Sequence, residues 1–340
     1  PWSSRANATS VTDAHVRVRP GSERTVAFRM VELIRLAGNS RGGVPVDRSP
    51  AYVRSMARIS DKLAAGRTLS FEFFPPKTAS AQLTLGRTIA ELAPLGPDFV
   101  SITYGAGGSD RHRTGELVQW IRRETDVEPM AHLTCVGHTR TDVAGLLVDY
   151  RRMGVENILA LGGDLPADGS AAAGDYRYAL DLLHDVATTG CFSVGVAAHP
   201  EVHPRSASRG ADRRHLADKL QLADFAITQF FFDPEHYTRL VDELAALGVD
   251  KPIVPGIMPV TNLGQVTRMA EMSGTEIPAW LVDRLRAARD PAEAKKIGVE
   301  LASELCLDLI GAGAPGLHLY TLNRSEIAKE IRVNLGTVLV

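Results

Sequence analysis

Residues 130–164 hold the pattern that decides the fold: MAHLTC (130–135), then TDVAGLLVDYRRM (141–153), then NILALGGD (157–164). The outer pieces are apolar runs of strand length, and the middle piece carries its apolar residues at helical spacing. A strand, a crossover helix and a second strand in so short a stretch make a parallel pair. The pattern recurs along the chain. Strand-like runs stand at Leu69–Phe74, Phe99–Tyr104, Met130–Cys135, Asn157–Leu161, Phe192–Ala197, Phe225–Phe230, Ile253–Ile257 and Leu317–Tyr320. Helical periodicity fills the intervals, as in Ala81–Leu92, Tyr178–Ala187, Arg213–Leu222, His236–Leu247 and Ala292–Ile310. Eight such units in about 280 residues predict an α/β fold, a closed (β/α)8 TIM barrel, with an open doubly wound sheet as the alternative. The interval before the eighth run is long and holds extra helical sequence around Ile277–Arg286.

The chain as a whole narrows the function. Its 340 residues are 44% hydrophobic and 23% charged, ample for a large core. A net charge of −2 gives no general pull toward nucleic acid or an anionic membrane. No apolar run approaches the length of a membrane span. Three scattered cysteines, Cys135, Cys191 and Cys306, make no disulfide framework and suit a reducing cytoplasm. His132, Cys135 and His138 lack an evident fourth ligand, so no metal is expected. Residues 1–55 are rich in Arg, Ser, Pro and Gly, with an apolar helical stretch only at Val26–Leu36 and no signal-peptide pattern. They are expected to form a poorly ordered extension, with residues 56–340 forming the barrel.

In a barrel of this kind function gathers where strands end. Glu72, the run Thr103–Gly108, His132, Gly162-Gly163-Asp164, His199–His203, Gln229 and Tyr320–Arg324 all stand at such ends. The most specific run is Ser70-Phe71-Glu72-Phe73-Phe74-Pro75-Pro76. An acid among aromatic neighbours is expected to be pushed toward its protonated form. The plainer reading is a strand-end glutamate that reaches water or meets an arginine. Asp164, among glycines, suits an acid that stays ionised. The separation of the two carboxylates is not legible in sequence, so a glycosidase-like dyad stays open. His203, Arg205, Ser206, Ser208 and Arg209 precede a helix expected to begin near Ala211-Asp212, which suits a phosphate grip or a solvated polar loop. A formal Gly311-x-Gly313-x-x-Gly316 follows a helix and precedes a strand, the reverse of the dinucleotide-binding order, and is set aside.

With these residues assembled, the chain from about residue 68 to 337 resembles methylenetetrahydrofolate reductase of the bacterial, single-domain type. The resemblance rests on Ser70–Pro76, Phe99–Gly105, Ala131–Cys135, Gly163–Pro166, Pro200–Pro204, Ala226–Asp233, Pro255–Asn262 and Tyr320–Arg324. It implies a barrel that binds FAD and passes hydride from NADH or NADPH to 5,10-methylenetetrahydrofolate, making 5-methyltetrahydrofolate for methionine synthesis. It assigns Glu72 as the general acid and Asp164 as the carboxylate beside flavin and pterin. Gln229 resembles a pterin contact, and Arg324 the arginine that meets the folate's glutamate tail. Thr103, His132, Gly163, His203, Asp212 and Lys219 resemble flavin contacts. The chain departs from the better-known bacterial members at Gly162 (Arg there), His199 (Tyr), His215 (Asn) and Leu263 (an aromatic). Two other readings compete: direct hydride transfer from NADH without flavin, and a folate-dependent methyltransferase barrel. The expected partner is a small-molecule substrate, with no nucleic acid or membrane, and the outer helices suit a monomer or a homo-oligomer.

Overall fold

The computed structural model describes residues 58–104, 111–163 and 174–338. The extension assigned to residues 1–55, the loop Gly105–Gly108 and the candidate acid Asp164 lie outside the described residues.

One parallel sheet runs through the described chain. Its strands are β1 (Thr68–Phe73), β2 (Phe99–Ile102), β3 (Glu128–Thr134), β4 (Asn157–Leu161), β5 (Ser193–Ala198), β6 (Phe225–Thr228), β7 (Ile253–Val254), β8 (Gly256–Ile257) and β9 (Gly316–Tyr320). They pair in the order β7-β6-β5-β4-β3-β2-β1-β9-β8. The run expected as one strand at Ile253–Ile257 is thus two short pieces. Pro255 separates them because it has no N–H to offer a ladder. The piece before it pairs with β6, the piece after it pairs with β9, and the Pro255 carbonyl accepts from His318 N–H at 3.0 Å. The barrel closes through this broken strand.

The helices are α1 (Ile59–Ala65), α2 (Ala79–Leu92), α3 (Arg111–Glu124), α4 (Arg140–Arg152), α5 (Ala179–Thr188), α6 (Arg209–Leu220), α7 (Pro234–Ala245), α8 (Leu263–Ser273), α9 (Ala279–Arg286), α10 (Pro291–Gly311) and α11 (Glu326–Leu335). Several begin on side-chain caps that satisfy otherwise orphaned N–H groups, including Thr139 for α4 and Asp290 for α10.

Alternation along the strands sorts side chains into two layers. Phe71 and Phe73 turn outward into the shell between sheet and helices, with Val100, Leu133 and Leu319. Burying each such side chain contributes roughly 1.5–3 kcal/mol. A second apolar cluster, with Phe99, Met130, Leu159, Phe225, Ile227 and Val254, includes Ile59 and Leu63 of α1. Gly195 makes room there, since a Cβ would stand 2.7 Å from the Phe225 ring. Helix α1 is fastened to the N-terminal ends of the strands: Ile59 N–H donates to Asn157 Oδ1 (2.8 Å) and Ser60 N–H to Ser193 Oγ (3.2 Å). Asn157 in turn donates to Glu128 (3.1 Å), whose carboxyl burial pushes up to about 8.

Candidate active site

The same alternation points Ser70 and Glu72 of β1 away from the phenyl shell. In the ladders Glu72 is level with Ser101 on one side and Tyr320 on the other, and Ser70 with His318. Ser70, Ser101 and His318 are fully buried, and His132 nearly so. Ser70 Oγ donates to the Leu317 carbonyl (3.1 Å) and lies 2.8 Å from His318 Nδ1. His318 Nε2 lies 3.3 Å from Ser101 Oγ, which is 3.3 Å from Glu72 Oε2. The imidazole nitrogens of His132 and His318 approach Glu72 Oε2 to 3.6 and 3.7 Å, beyond hydrogen-bonding distance, so Ser101 is the bridge.

These surroundings correct the expected state of Glu72. Burial does push its carboxyl up, but His318, His132 and the Ser101 hydroxyl outweigh burial and hold it below the usual range. The expectation of a protonated acid took Phe71 and Phe73 as its walls, and both point the other way. Burial also pushes His132 down to about 4, so its imidazole is neutral near pH 7 and its field on Glu72 lapses there. The state of the Glu72 carboxyl is therefore set by its neighbours across the ladder and not by the aromatic residues beside it in sequence.

Beside Glu72 opens a cavity of about 220 Å³, lined among others by Gln229, Phe230, Met258, Tyr320 and Leu322. Tyr320 is fixed by donating to the Thr228 carbonyl (2.7 Å). A larger groove of about 670 Å³ lies between α3 and α4, away from the strand ends, and holds none of the expected residues.

A second polar group sits over β5 and α6. His199 and His203 meet edge to face at 4.5 Å, and Lys219 Nζ donates to the Ala197 carbonyl (2.8 Å). Burial lowers His199 to about 3 and Lys219 to about 8, and it lowers His203 as well. Helix α6 starts earlier than expected, capped by Ser208 on Ala211 N–H (3.2 Å). Ser206 donates to Asp212 (2.9 Å), so two hydroxyls of the expected phosphate grip are spent inside the fold. Asp212 also accepts from His203 N–H (3.2 Å) and pairs with Arg213 (2.6 Å). Arg213, buried, further reaches Glu243 and the carbonyls of His199, Pro200 and Glu201. It staples the loop after β5 and was missed in sequence, where it reads as one more surface arginine.

The other expected residues fall as follows. Gly163 has φ +81°, and a Cβ there would lie 2.9 Å from Thr134 Cβ, so the position demands glycine. Thr103 is tied by its backbone, donating to the Phe73 carbonyl (2.9 Å) and accepting from Thr114 Oγ1 (3.0 Å). Gln229 borders the cavity, and its Oε1 accepts from Phe230 N–H (3.1 Å). Arg324 is exposed just beyond β9, and His215 is exposed on α6. Leu263, half-buried, packs with Phe230 and Met258.

The sequence model of the methylenetetrahydrofolate reductase family matches residues 57–336. The chain belongs to that family. It is 39% identical over 288 residues to 5,10-methylenetetrahydrofolate reductase of Pectobacterium carotovorum, covering 84% of this chain and 94% of that one. It is 38% identical to the enzyme of that name from Escherichia coli, covering 84% and 95%. A probable methylenetetrahydrofolate reductase (NADH) of Oryza sativa is 35% identical, with 84% of this chain matched to 51% of that one. Among solved structures, a Clostridium thermocellum protein that binds two copies of 5-methyl-5,6,7,8-tetrahydrofolic acid aligns over 83% of this chain and 98% of its own. Its TM-score is 0.55 at 15% identity, a likeness of fold. Among the described residues, no helix is long and apolar enough to cross a membrane.

The donor set suits the flavin that the resemblance implies. His132 Nε2 is buried without a hydrogen-bonding partner. Lys219, His203 and Arg205 offer cationic or hydrogen-bonding groups for a pyrophosphate, and Gly162 and Gly163 keep the neighbouring backbone free of side chains.

Proposed function

We propose that this chain reduces 5,10-methylenetetrahydrofolate to 5-methyltetrahydrofolate with hydride from NADH or NADPH, using FAD held in the barrel mouth. The observation that carries the reading is the half-buried carboxyl of Glu72, bridged by Ser101 to His318 and facing the cavity beside Gln229. Family membership selects the substrate class. Thr103, His132, Gly163, His199, His203, Asp212, His215 and Lys219, with Asp164, would hold the flavin, which when bound carries hydride from the nicotinamide to the folate.

The protein's own share is proton handling and orientation. Glu72 delivers a proton to N10 of the folate, the bond from N10 to the methylene carbon breaks, and an N5 iminium remains on the substrate. Hydride added to that carbon gives the N5-methyl group, so one proton and one hydride enter per turnover. Two proton arrangements satisfy the Glu72–Ser101–His318 chain. In one, the carboxyl donates to Ser101 and Ser101 donates to His318 Nε2. In the other, His318 donates to Ser101 and Ser101 to the carboxylate. Passage from the second to the first loads the acid for one turnover, and the proton spent on N10 is replaced from solvent before the next. Asp164 would stabilise the iminium as an ionised neighbour, Gln229 would orient the pterin, and Arg324 would meet the glutamate tail.

The test is the visible spectrum of the purified protein, followed by NADH without oxygen and then methylenetetrahydrofolate. A flavin band that bleaches with NADH and returns with the folate is the expected result. A colourless protein that consumes NADH only when the folate is present would replace flavin with direct transfer. No turnover in either form would overturn the reading.

A further inference from the structure

We propose that Asn323 is a positioning residue for Glu72, an inference that rests on the acid role assigned above. The β1–β9 ladder ends at the pair Glu72 and Tyr320. Beyond it, side chains take over the pairing. Thr321 Oγ1 donates to the Glu72 carbonyl at 2.6 Å. The Asn323 carboxamide then takes both backbone groups of Phe74: Nδ2 donates to its carbonyl and Oδ1 accepts from its N–H, each at 2.9 Å. Pro75 and Pro76 follow, and neither has an N–H to pair. Without the carboxamide the β9 side would hold this strand end only as far as Glu72, and Phe74 would lose both its bonds to that side.

The turn that makes this clamp is strained. Leu322 and Asn323 are consecutive non-glycine residues in the left-handed region, at φ 51° and 57°, and are the only such residues in the described chain. Asparagine tolerates that region; leucine does not. Such strain persists only where the surroundings over-determine it. Here Thr321 Oγ1 accepts from Asn323 N–H (3.2 Å), Thr321 O accepts from Arg324 N–H (2.9 Å), and Asn323 O accepts from Thr88 Oγ1 (3.1 Å). The strained turn also sets Leu322 against the cavity that Glu72 faces. Phe74 is 37% exposed, so the clamp sits on the rim and adds little to the core. Its consequence is orientation.

The decisive variant is Asn323→Gly, which removes the carboxamide and accepts the left-handed backbone without steric strain. Asn323→Asp keeps the acceptor for Phe74 N–H and loses the donor to Phe74 O. Misplacement of a reacting group by about 1 Å costs on the order of 100-fold. We expect N323G to lower kcat roughly 10- to 100-fold with little change in the folate KM, and N323D to restore part of the loss. The pH profile of kcat should shift in N323G while the melting temperature stays close to the parent's. Unchanged kcat and pH profile in N323G, beside an inactive E72Q, would overturn the positioning role and leave the acid intact. A melting temperature that falls with kcat unchanged would overturn it too, since the clamp would then be structural only. Full activity in E72Q would remove the acid reading, and this inference with it.

Discussion

The Ser70 hydroxyl hydrogen is committed to the Leu317 carbonyl, so Ser70 meets His318 Nδ1 as an acceptor and fixes that nitrogen as the protonated one. His318 Nε2 is thereby the atom that faces Ser101 and, in the mechanism proposed above, the store that trades a proton with it. A serine buried at the first strand thus selects the tautomer of a histidine on the last.

Ser101→Ala should separate Glu72 from that store. We expect kcat to fall by about 10²-fold, within the range of general acid catalysis, with the folate KM held within a few-fold. Loss of the Ser101 hydrogen bond lets burial raise the Glu72 carboxyl, so the alkaline limb of kcat/KM should move to higher pH. A pH–rate profile that matches the parent would mean that Glu72 draws its proton by another route.

Stability should depend on Glu128. Its folded carboxyl is raised from 4.5 to about 8, so between those values the folded chain holds a proton that the unfolded chain has released. The stabilisation is complete below about pH 4.5 and declines as pH rises through this window. Glu128→Gln keeps an acceptor for Asn157 without the titration. Its melting temperature should exceed the parent's by about 2–4 °C or more near pH 8 and match it near pH 5. Parallel melting curves across that range would place the carboxyl in contact with water.

Arg324→Ala addresses the substrate's far end. An exposed arginine that meets a carboxylate tail contributes binding to ground and transition states alike. The folate KM should rise roughly tenfold with kcat within about twofold. Steady-state kinetics with mono- and polyglutamyl folate separate this from a general defect, since only the tail contact changes between them.

Much of the barrel was legible because alternating strand and helix periods leave few topologies open. The seventh strand could have been read as broken from Pro255 alone, and α8 went unread because only Val266 and Ala270 of its apolar residues are buried. Glu72 was legible as a strand-end acid, but its surroundings were not. Neighbours in sequence point to opposite faces of a strand, whereas neighbours across the ladder meet. Ser70, Ser101 and His318 carry that signal in retrospect: each is a polar residue at an inward position between outward apolar ones, as in Leu317-His318-Leu319. Nothing in the sequence says which inward positions will stand level, because register is a property of paired strands. Arg213 and Asn323 were illegible for a related reason, since most of their partners are backbone groups brought close only by folding.

The break at Pro255 gives the barrel a seam. Two residue pairs hold β7 to β6 and two hold β8 to β9, and one of the latter pairs joins Gly256 to His318. Local opening favours places where few ladder bonds must part, so warming is expected to loosen the cylinder here first. His318, the proposed proton store, stands on one lip of that seam. Catalytic competence will therefore fade at temperatures where the rest of the cylinder is still intact, and activity will report the state of the seam sooner than any measure of the whole.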